Sequence, residues 1–535
     1  MRKIFTFIFI LGGFLLFAEI NVQVFPINKQ QSSGVYVRKG ESIKIEVKGE
    51  WSLWDKYKPV GGEGHPFNAN EFGNWGVLLG RIGNGDIFVV GKGTEIKSNN
   101  DGILYLFPNK GKYLIENPSG SLNVTIIGGI TVEEWINSLL SRGKKIEFDP
   151  KNGFLNTKLY IKEGTTLEIY AIGYWTMWDG VYPEVNAEGH EFIANGIPWG
   201  KLIGGIGASY GVNNYTFSIG EKNIIKIEKA GLLTLYPHIS NYVAVKNGKM
   251  DIYIIGGNEA TEEEIQKIDN EVRKEIEIKM IDRLNSYRKA LGLPDLVINE
   301  SLSNCAFGHA KYLAINKLFT RDQEQGKPGF TGITFEERLK NSGFIGKARE
   351  MFCQTDLSDD PLNLFFNSVY QRLRLMNPEI NSVGYGSYRV DDDIIHVFNF
   401  GYIGENDTPV QWDVIKYPND NATNVNPVWN GIENPDPLPK GTAKPVGIPV
   451  SILFKEQIKN VVKAELKDPE GKVIDSILIY PGNDINNKQI NSVTIIPKMM
   501  LNKFTKYTVY VEVELGASGE KKTFSWSFET GEPKE

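Results

Sequence analysis

The stretch Trp51-Ser-Leu-Trp54-Asp55 recurs as Trp175-Thr-Met-Trp178-Asp179, 124 residues further along the chain (175 against 51). Two more pairs have nearly the same separation: Gly64-His65 with Gly189-His190, and Trp75-Gly76 with Trp199-Gly200. Matches at one separation indicate an internal duplication. In both copies, short runs of alternating apolar residues lie between Gly- and Asn-rich turns, which predicts two β-sandwiches of about 110 residues each.

The order of motifs in each copy resembles the galactose-binding PA-IL-like lectin family. That order is a Gly-x-Trp strand, a Gly-rich loop with a histidine, and a Gly-x-Leu-x-Leu strand. The resemblance covers about residues 30–130 and 155–257 and implies a jelly-roll-like β-sandwich. It also carries the family's sugar-contacting histidine over to His65 and His190.

A glycan site needs aromatic faces for stacking and polar groups that fix the sugar hydroxyls. The glycan-binding candidates are Trp54, His65 and Trp75 in the first copy and Trp178, His190 and Trp199 in the second. The alternative is that the tryptophans are core residues and that each Gly-His pair only holds a loop turn. Trp51 and Trp175 alternate with apolar strand neighbours, so we expect both in the core.

The calcium loop of the lectin family requires an Asp after the Gly-x-Leu-x-Leu strand and adjacent asparagines further on. At these places the first copy has Asn109-Lys110 and Asn117-Pro118, and the second has His238-Ile239 and Val245-Lys246. Calcium prefers about six to eight hard oxygen ligands, so these loops are poor calcium sites.

Past Gly257 the sequence pattern becomes helical. Thr261-Glu-Glu-Glu264 is a capping-box start and predicts a long helix through about Leu291. Three ordered segments then resemble the bacterial branch of the CAP superfamily, also called SCP (cysteine-rich secretory proteins, antigen 5 and pathogenesis-related proteins). They are Leu284-Asn-Ser-Tyr-Arg288, His309-Ala-Lys-Tyr312 and Ser368-Val-Tyr-Gln371-Arg372. The resemblance covers about residues 275–403 and implies an α-β-α sandwich.

CAP domains often carry a cleft with two histidines and two acidic residues that can hold a divalent ion. The resemblance places Glu350 at the expected glutamate, whereas Arg321 and Gln371 stand where histidines are expected. Without both imidazoles, zinc loses the nitrogen donors that make it bind tightly, and we expect Arg321 to pair with Glu350 instead. His309 lies on a helix with apolar periodicity and is expected to be a packed core histidine. No cofactor follows from the sequence, since zinc here and calcium in the lectin-like loops are both disfavoured.

The two cysteines of the chain, Cys305 and Cys353, both lie in the CAP segment. A disulfide and two separate buried thiols stay open as alternatives, because the distance between them does not follow from the sequence. The chain has no Gly-x-Ser-x-Gly elbow, no His-Glu-x-x-His motif and no Walker loop, so no catalytic residue is assigned and an enzymatic role is disfavoured.

Location and charge narrow the class of protein further. Residues 1–18 combine a basic start, Met1-Arg2-Lys3, with an apolar run, which predicts a secretory signal peptide. No later stretch is long and apolar enough to span a bilayer. The 59 basic and 65 acidic side chains give a net charge of −6, which argues against a general nucleic-acid binder. We therefore expect a secreted protein, extracellular or periplasmic.

The patterns together predict a β-rich multidomain protein with one α+β domain. Its expected parts are a signal peptide (1–18), two lectin-like β-sandwich repeats (25–130 and 145–257), a CAP segment with its leading helix (260–403), a Pro- and Asn-rich linker (404–446) and an Ig-like β-sandwich (447–535). The linker is expected to be an extended spacer or a strap that crosses a sheet edge. Alternating runs such as Tyr507-Thr-Val-Tyr-Val-Glu-Val predict the last sandwich.

The function expected from these parts is non-catalytic binding outside the cell. The lectin-like repeats would bind polysaccharide or cell-envelope glycan, and the CAP cleft would take another ligand. Two alternatives stay open: an exported hydrolase that acts through Glu350, and a purely structural envelope protein.

Overall fold

The computed structural model describes residues 19–533, except 28, 114, 177–183, 191, 195, 240–246, 358, 405–409 and 518. The predicted signal peptide and Trp178 therefore lie outside the described residues. The described chain forms two compact units. The first contains the residues up to Ile206 and Thr216–Glu259, and the second contains Gly207–Tyr215 and the residues from Ala260 onward. No helix within the described ranges has the length and apolar character needed to cross a membrane.

The first repeat is a two-sheet sandwich. Its strands are β1 (Glu19–Val24), β2 (Gln31–Val37), β3 (Ser42–Ser52), β4 (Asn68–Asn70), β5 (Gly73–Asn74), β6 (Leu78–Ile82), β7 (Phe88–Val89), β8 (Gly93–Lys97), β9 (Gly102–Pro108), β10 (Ser119–Ile127) and β11 (Ile130–Thr131). One sheet has the order β1-β10-β3-β8 and the other β11-β2-β9-β6-β7, while β4 and β5 form a small hairpin. Helix α1 (Val132–Leu140) follows, with a capping box between Thr131 and Glu134.

The second repeat has the same topology as the first. Its strands are β12 (Lys144–Phe148), β13 (Leu155–Ile161), β14 (Thr166–Thr176), β15 (Ile193–Ala194), β16 (Ile197–Pro198), β17 (Leu202–Gly207), β18 (Asn213–Ser218), β19 (Lys222–Lys226), β20 (Gly231–Pro237), β21 (Asn247–Ile255) and β22 (Asn258–Glu259). A 3-10 turn, Pro150–Asn152, follows β12. The sheet orders β12-β21-β14-β19 and β22-β13-β20-β17-β18 match those of the first repeat strand for strand.

Buried tryptophans hold the two sandwiches in the same way. Trp51 and Trp175 are fully buried, as the sequence predicts. The indole N–H of Trp51 donates to the carbonyl oxygen of Gly76 at 3.0 Å, and that of Trp175 donates to Gly200 at 2.8 Å. The equivalent bond satisfies the polar atom of a buried indole in both copies. The duplication seen in the sequence is therefore also a duplication of core contacts.

The CAP segment is an α-β-α arrangement. Its elements are α2 (Glu262–Ala290), β23 (Val297–Ile298), α3 (Glu300–Asn316), α4 (Phe335–Asn341), β24 (Ala348–Asp356), α5 (Pro361–Asn367), α6 (Tyr370–Leu375), β25 (Ile380–Val390) and β26 (Asp393–Tyr402). The sheet order is β23-β25-β26-β24. Helix α2 begins with the predicted capping box of Thr261 and Glu264 and ends one residue before the predicted Leu291.

Alternation along β26 explains why helices cover both faces of this sheet. Ile395 and Val397 pack with residues of α3, whereas Phe398 and Phe400 pack with residues of α2 and α5. Gly384 lets α3 lie close to β25, because a Cβ there would stand 2.1 Å from the backbone nitrogen of Ser303.

The C-terminal module is a second kind of two-sheet sandwich. Its strands are β27 (Val414–Tyr417), β28 (Ala422–Val425), β29 (Val428–Trp429), β30 (Val446–Gly447), β31 (Val450–Phe454), β32 (Ile458–Lys467), β33 (Ser476–Ile479), β34 (Ser492–Pro497), β35 (Lys506–Leu515) and β36 (Glu520–Thr530). The sheets are β27-β31-β34-β33 and β28-β36-β35-β32. Because β27 and β28 come from the predicted linker, that segment is a strap that adds edge strands rather than a free spacer. The predicted fold class, β-rich and multidomain with one α+β domain, is confirmed, and the domain boundaries stay predictions.

Candidate functional site

An aromatic cluster lies at the end of β3 in the first repeat. We call Trp54, Tyr57, His65, Phe67 and Trp75 the aromatic patch. The ring centroids of Tyr57 and His65 are 5.2 Å apart, those of His65 and Trp75 are 5.3 Å apart, and those of Phe67 and Trp75 are 5.5 Å apart. Trp54 meets Tyr57 edge-on at 6.0 Å. Five aromatic rings from three segments of the chain therefore form one contiguous cluster.

Burial decides which of these rings can meet a ligand. Trp75 is 1% exposed because Tyr57, His65 and Phe67 cover it, so its predicted role as an exposed stacking face is wrong. The exposed faces belong to Tyr57 (41%) and Phe67 (37%), which the sequence analysis missed. The sequence pattern that could have identified Tyr57 and Phe67 is the occurrence of aromatic residues on both sides of Gly64-His65.

His65 supports the patch from below. Its ring is 6% exposed, its Nε2 is buried without a hydrogen-bond partner among the described residues, and burial lowers its pKa. Its backbone N–H donates to the carbonyl oxygen of Trp75 at 2.8 Å. The preceding Gly64 has φ +72°, and a Cβ there would stand 2.4 Å from the nitrogen of Val77, so only glycine fits this turn.

The second repeat preserves the same arrangement where it is described. His190 lies 5.6 Å from Trp199, which is 6% exposed, and burial also lowers the pKa of His190. Phe192 follows His190 as Phe67 follows His65, and it is 67% exposed. Trp199 is therefore a buried support like Trp75, and Phe192 provides the exposed face.

The positions that correspond to the lectin calcium loop are occupied by protein contacts. The Asn109 side-chain amide donates to Oδ1 of Asn70 at 2.9 Å and to the carbonyl oxygens of Gly73 and Asn74 at 3.2 Å. Asn117 donates to Oδ2 of Asp55 at 3.0 Å. Within the described ranges, no group of three or more His, Cys, Asp or Glu side chains could hold a metal ion. The donor set of this loop in the first repeat does not fit calcium. Val245 and Lys246 of the second repeat lie outside the described residues.

Glu350 belongs to a buried polar cluster in the CAP segment. Arg338 of α4 donates from Nη2 to Oε1 of Glu350 at 2.7 Å, and His309 of α3 has its Nε2 3.7 Å from the same oxygen. Gln323 lies 3.1 Å from Nδ1 of His309. All four side chains are at most 5% exposed. His309 is buried as predicted, but its place beside Glu350 was missed because the two residues lie 41 positions apart (309 against 350).

Burial shifts both titratable groups of this cluster toward their neutral forms. It raises the pKa of Glu350 to about 7, although Arg338 opposes that shift. It lowers the pKa of His309 to about 3, and the nearby guanidinium of Arg338 acts in the same direction. The cluster is a neutralised polar network rather than an accessible acid–base pair, and the cation of Arg338 makes its donor set unfit for zinc.

The other two cleft candidates do not join Glu350. Arg321 is exposed, and the predicted ion pair with Glu350 is instead made by Arg338, which α4 holds in the interior. Gln371 lies at the start of α6, where its backbone N–H donates to Glu433 at 2.9 Å and its side chain accepts from Arg374 at 3.4 Å.

The cysteines remain separate thiols. Cys305 and Cys353 are both free and buried, so the disulfide alternative does not hold in this structure. The physical reason is that they belong to different hydrophobic clusters. Cys305 packs with Phe335 and Leu339, and Cys353 packs with the group that includes Leu362.

The comparisons with known proteins agree with the class predicted for the central part of the chain. The sequence profile of the family described as "CAP: Cysteine-rich secretory protein family" matches residues 281–400. This part of the chain is therefore a CAP domain. The search of curated proteins gave no match.

Three solved structures illustrate what the chain is similar to. The N-terminal domain of EclA, described as a PllA-like lectin, is 21% identical over 20% of this chain and 93% of its own, with a TM-score of 0.18. An extracellular protein with an SCP domain from Bacillus anthracis strain Ames is 19% identical over 31% of this chain and 56% of its own, with a TM-score of 0.22. An outer surface protein from Borrelia burgdorferi is 21% identical over 24% and 92%, with a TM-score of 0.20.

Proposed function

We propose that this chain is an exported, non-catalytic protein that binds polysaccharide of the cell envelope or the surroundings through its two sandwich repeats. The observation that carries the proposal is the pair of exposed rings, Tyr57 and Phe67, over the buried His65 and Trp75. Phe67 stacks on both buried rings, and Tyr57 meets them at steep angles. Exposed aromatic faces of this kind stack on the C–H face of a sugar ring.

Polar groups for the sugar hydroxyls lie next to these faces. Asp55 and Asn117 are exposed and bonded to each other at 3.0 Å, so both can exchange that bond for bonds to a ligand. Lys56 has its Nζ 4.4 Å from the ring centroid of Trp54 and provides a further donor. The combination of flat apolar faces with donors and acceptors beside them is typical of carbohydrate sites.

The loop that carries the patch is held in place before any ligand binds. The Ser52 hydroxyl donates to the carbonyl oxygens of Trp54 at 2.7 Å and Tyr57 at 3.1 Å. The N–H of Tyr57 also donates to the carbonyl oxygen of Trp54 at 3.0 Å. A preordered loop loses little conformational entropy on binding, which favours affinity. Two weak sites in one chain gain further by avidity when both reach the same polymer.

The hydrolase alternative receives less support from the geometry. Glu350 is 5% exposed and is bound to Arg338, so a substrate would have to displace a buried ion pair to reach it. Ligand binding at the CAP cleft stays a prediction, and a purely structural role is an outcome of the test below.

A glycan array with and without calcium tests the proposal. We expect binding of the full chain to at least one polysaccharide in both conditions, weakened about 2- to 12-fold by Tyr57→Ala or Phe67→Ala, since an aromatic contact contributes about 0.5–1.5 kcal/mol. Phe504→Ala is the matched control, because Phe504 is 61% exposed in the C-terminal module. An array without any bound glycan would favour the structural role. Export is tested separately by the N-terminal mass of the secreted chain, which should begin after residue 18.

A further inference from the structure

A cleft lies between the two repeats of the first unit. It has a volume of about 270 Å³, just below the range of about 300–1,000 Å³ that is usual for small-molecule sites. We call it the inter-repeat cleft. It is lined on the first repeat by Tyr36 and Asp101, on α1 by Trp135, and on the second repeat by Tyr170, Glu221 and Lys222.

This cleft is separate from the aromatic patch. The patch includes Trp75, which precedes β6, whereas the cleft is lined by Gly83 and Asn84, which follow β6. The two sites therefore lie at opposite ends of one strand. Neither repeat alone contains the cleft, because each provides only part of its walls.

The walls of the cleft are aromatic and rigid. Trp135 stacks on Tyr36 with ring centroids 4.1 Å apart and planes 12° apart, and it meets Tyr170 edge-on at 5.7 Å. Lys222 places its Nζ 5.6 Å from the Tyr170 ring centroid. Tyr36 and Trp135 are 6% and 7% exposed, so their packed rings form a rigid floor of the cleft rather than an open stacking face. A floor that is already ordered lowers the entropy cost of binding.

Polar groups at the rim are partly unsatisfied. Oε1 of Glu221 accepts from Asn186 at 2.6 Å and from the Tyr105 hydroxyl at 3.4 Å, but no described residue donates to its Oε2. The hydroxyl of Tyr36 likewise has no hydrogen-bond partner among the described residues. Burial raises the pKa of Glu221, so a hydroxyl that donates to Oε2 would stabilise its carboxylate.

The cleft is lined by equal numbers of acidic and basic residues. Lys222 pairs with Oδ2 of Asp101 at 2.8 Å, and the backbone N–H of Lys39 donates to Oδ1 of the same residue at 2.8 Å. The charged lining residues are thus two acidic ones, Asp101 and Glu221, and two basic ones, Lys39 and Lys222. A site without net charge gives little attraction to ions, and its free acceptor and free phenol are suited to hydroxyl groups.

We propose that the inter-repeat cleft binds one ring of a neutral saccharide, with the packed rings of Trp135 and Tyr36 as its rigid floor and the Tyr36 hydroxyl and the Glu221 carboxylate as partners for sugar hydroxyls. This site goes beyond the proposed function, since it uses none of the aromatic patch. The cleft requires both repeats, because each repeat provides only part of its walls.

The test is a titration of the full chain with D-glucose, D-galactose, N-acetyl-D-glucosamine and D-xylose, followed by calorimetry and saturation-transfer NMR. It is carried out in a Tyr57→Ala, Phe67→Ala, Phe192→Ala background, which removes the exposed aromatic faces named above in both repeats. We expect one of these sugars to bind. Glu221→Gln should weaken binding about 10-fold, and Tyr36→Phe should weaken it about 5-fold, as expected for one charged and one neutral hydrogen bond.

Tyr253→Phe is the matched control, because Tyr253 packs in the same hydrophobic cluster but does not line the cleft. It should leave the affinity unchanged. The proposal is overturned if none of the four sugars binds in this background, if both cleft variants bind like their parent, or if tetramethylammonium binds in place of the sugars with the same dependence on Glu221. A positive result here together with glycan-array binding that Tyr57→Ala and Phe67→Ala both leave unchanged would overturn the aromatic patch as the binding surface and leave this site intact.

Discussion

His396 makes the CAP domain sensitive to acid. It lies on β26 and is 5% exposed, with Nδ1 2.7 Å from the Tyr385 hydroxyl and Nε2 3.0 Å from the Thr355 hydroxyl. These hydroxyls bond well to a neutral imidazole but offer no negative charge to an imidazolium. Burial therefore lowers the pKa of His396 to about 3 from its ordinary value of 6.5.

The size of this acid sensitivity follows from the linkage between proton binding and folding. Below pH 6.5 the unfolded chain binds a proton at His396 that the native domain does not bind, so stability falls as the pH falls toward 3. Between pH 7 and pH 5 the loss is about 2 kcal/mol, since one pKa unit corresponds to about 1.4 kcal/mol. His309 contributes a loss of similar size over that range. The contribution of Glu350 to stability changes in the opposite direction with pH. Its pKa is raised to about 7, so it stabilises the native domain below pH 7, and this stabilisation is lost as the pH rises.

The His309 and Glu350 contributions have opposite signs, and the pKa of Asp356 is also raised, to about 6, by burial and by Asp393. The contribution of His396 is therefore taken as the difference between the His396→Gln variant and the unsubstituted chain. We expect His396→Gln, which cannot titrate, to remove about 2 kcal/mol of this pH dependence. Residues 281–400 contain no tryptophan but both cysteines of the chain, which are buried free thiols. Unfolding of the CAP domain is therefore measured by the denaturant dependence of thiol labelling with dithiodipyridine at each pH.

Thr355→Val is the matched control, because it removes one hydrogen bond to the imidazole and keeps the histidine. It should lower stability equally at both pH values. The reasoning is refuted if His396→Gln and the unsubstituted chain lose the same stability between pH 7 and pH 5.

Three further changes test other parts of the structure. Arg338→Met leaves the buried Glu350 without its cation and should cost about 3–5 kcal/mol in the thiol assay, part of which a second change, Glu350→Gln, should restore. The carboxylate of Glu433 accepts the backbone N–H groups of residues 369–371 at 2.8–2.9 Å. Glu433→Gln replaces this carboxylate with a neutral amide, so these N–H groups should exchange with solvent faster. Unchanged exchange would contradict the role of Glu433 in holding the start of α6. Asn109→Ala removes the amide that holds the β4–β5 hairpin and should cost about 1–3 kcal/mol in unfolding followed by tryptophan fluorescence, while an unchanged midpoint would count against it.

Local patterns predicted much of the fold. The start and end of α2 were predictable because a capping box and a change of period are properties of neighbouring residues. Trp51 and Trp175 were recognised as core residues because strand alternation assigns a side chain to a face of the sheet. The duplication was visible because both copies keep the same glycine and tryptophan positions.

The candidate sites depended more on packing. The burial of Trp75 and the exposure of Tyr57 follow from how a loop folds over a strand, which no local period encodes. Arg338, and not Arg321, pairs with Glu350, because α4 holds the Arg338 side chain in the interior of the domain. The strap strands β27 and β28 were missed because prolines in the surrounding segment mask short edge strands.

The sequence by itself determined the repeated sandwiches, the CAP segment and the absence of the usual metal ligands, since each depends on residue types at short or repeated spacings. The tertiary structure alone decided which aromatic faces are open, which cation neutralises Glu350, and that a polar cleft forms between the repeats. These features depend on side chains brought together from distant parts of the chain, and their contacts exist only after the elements have packed.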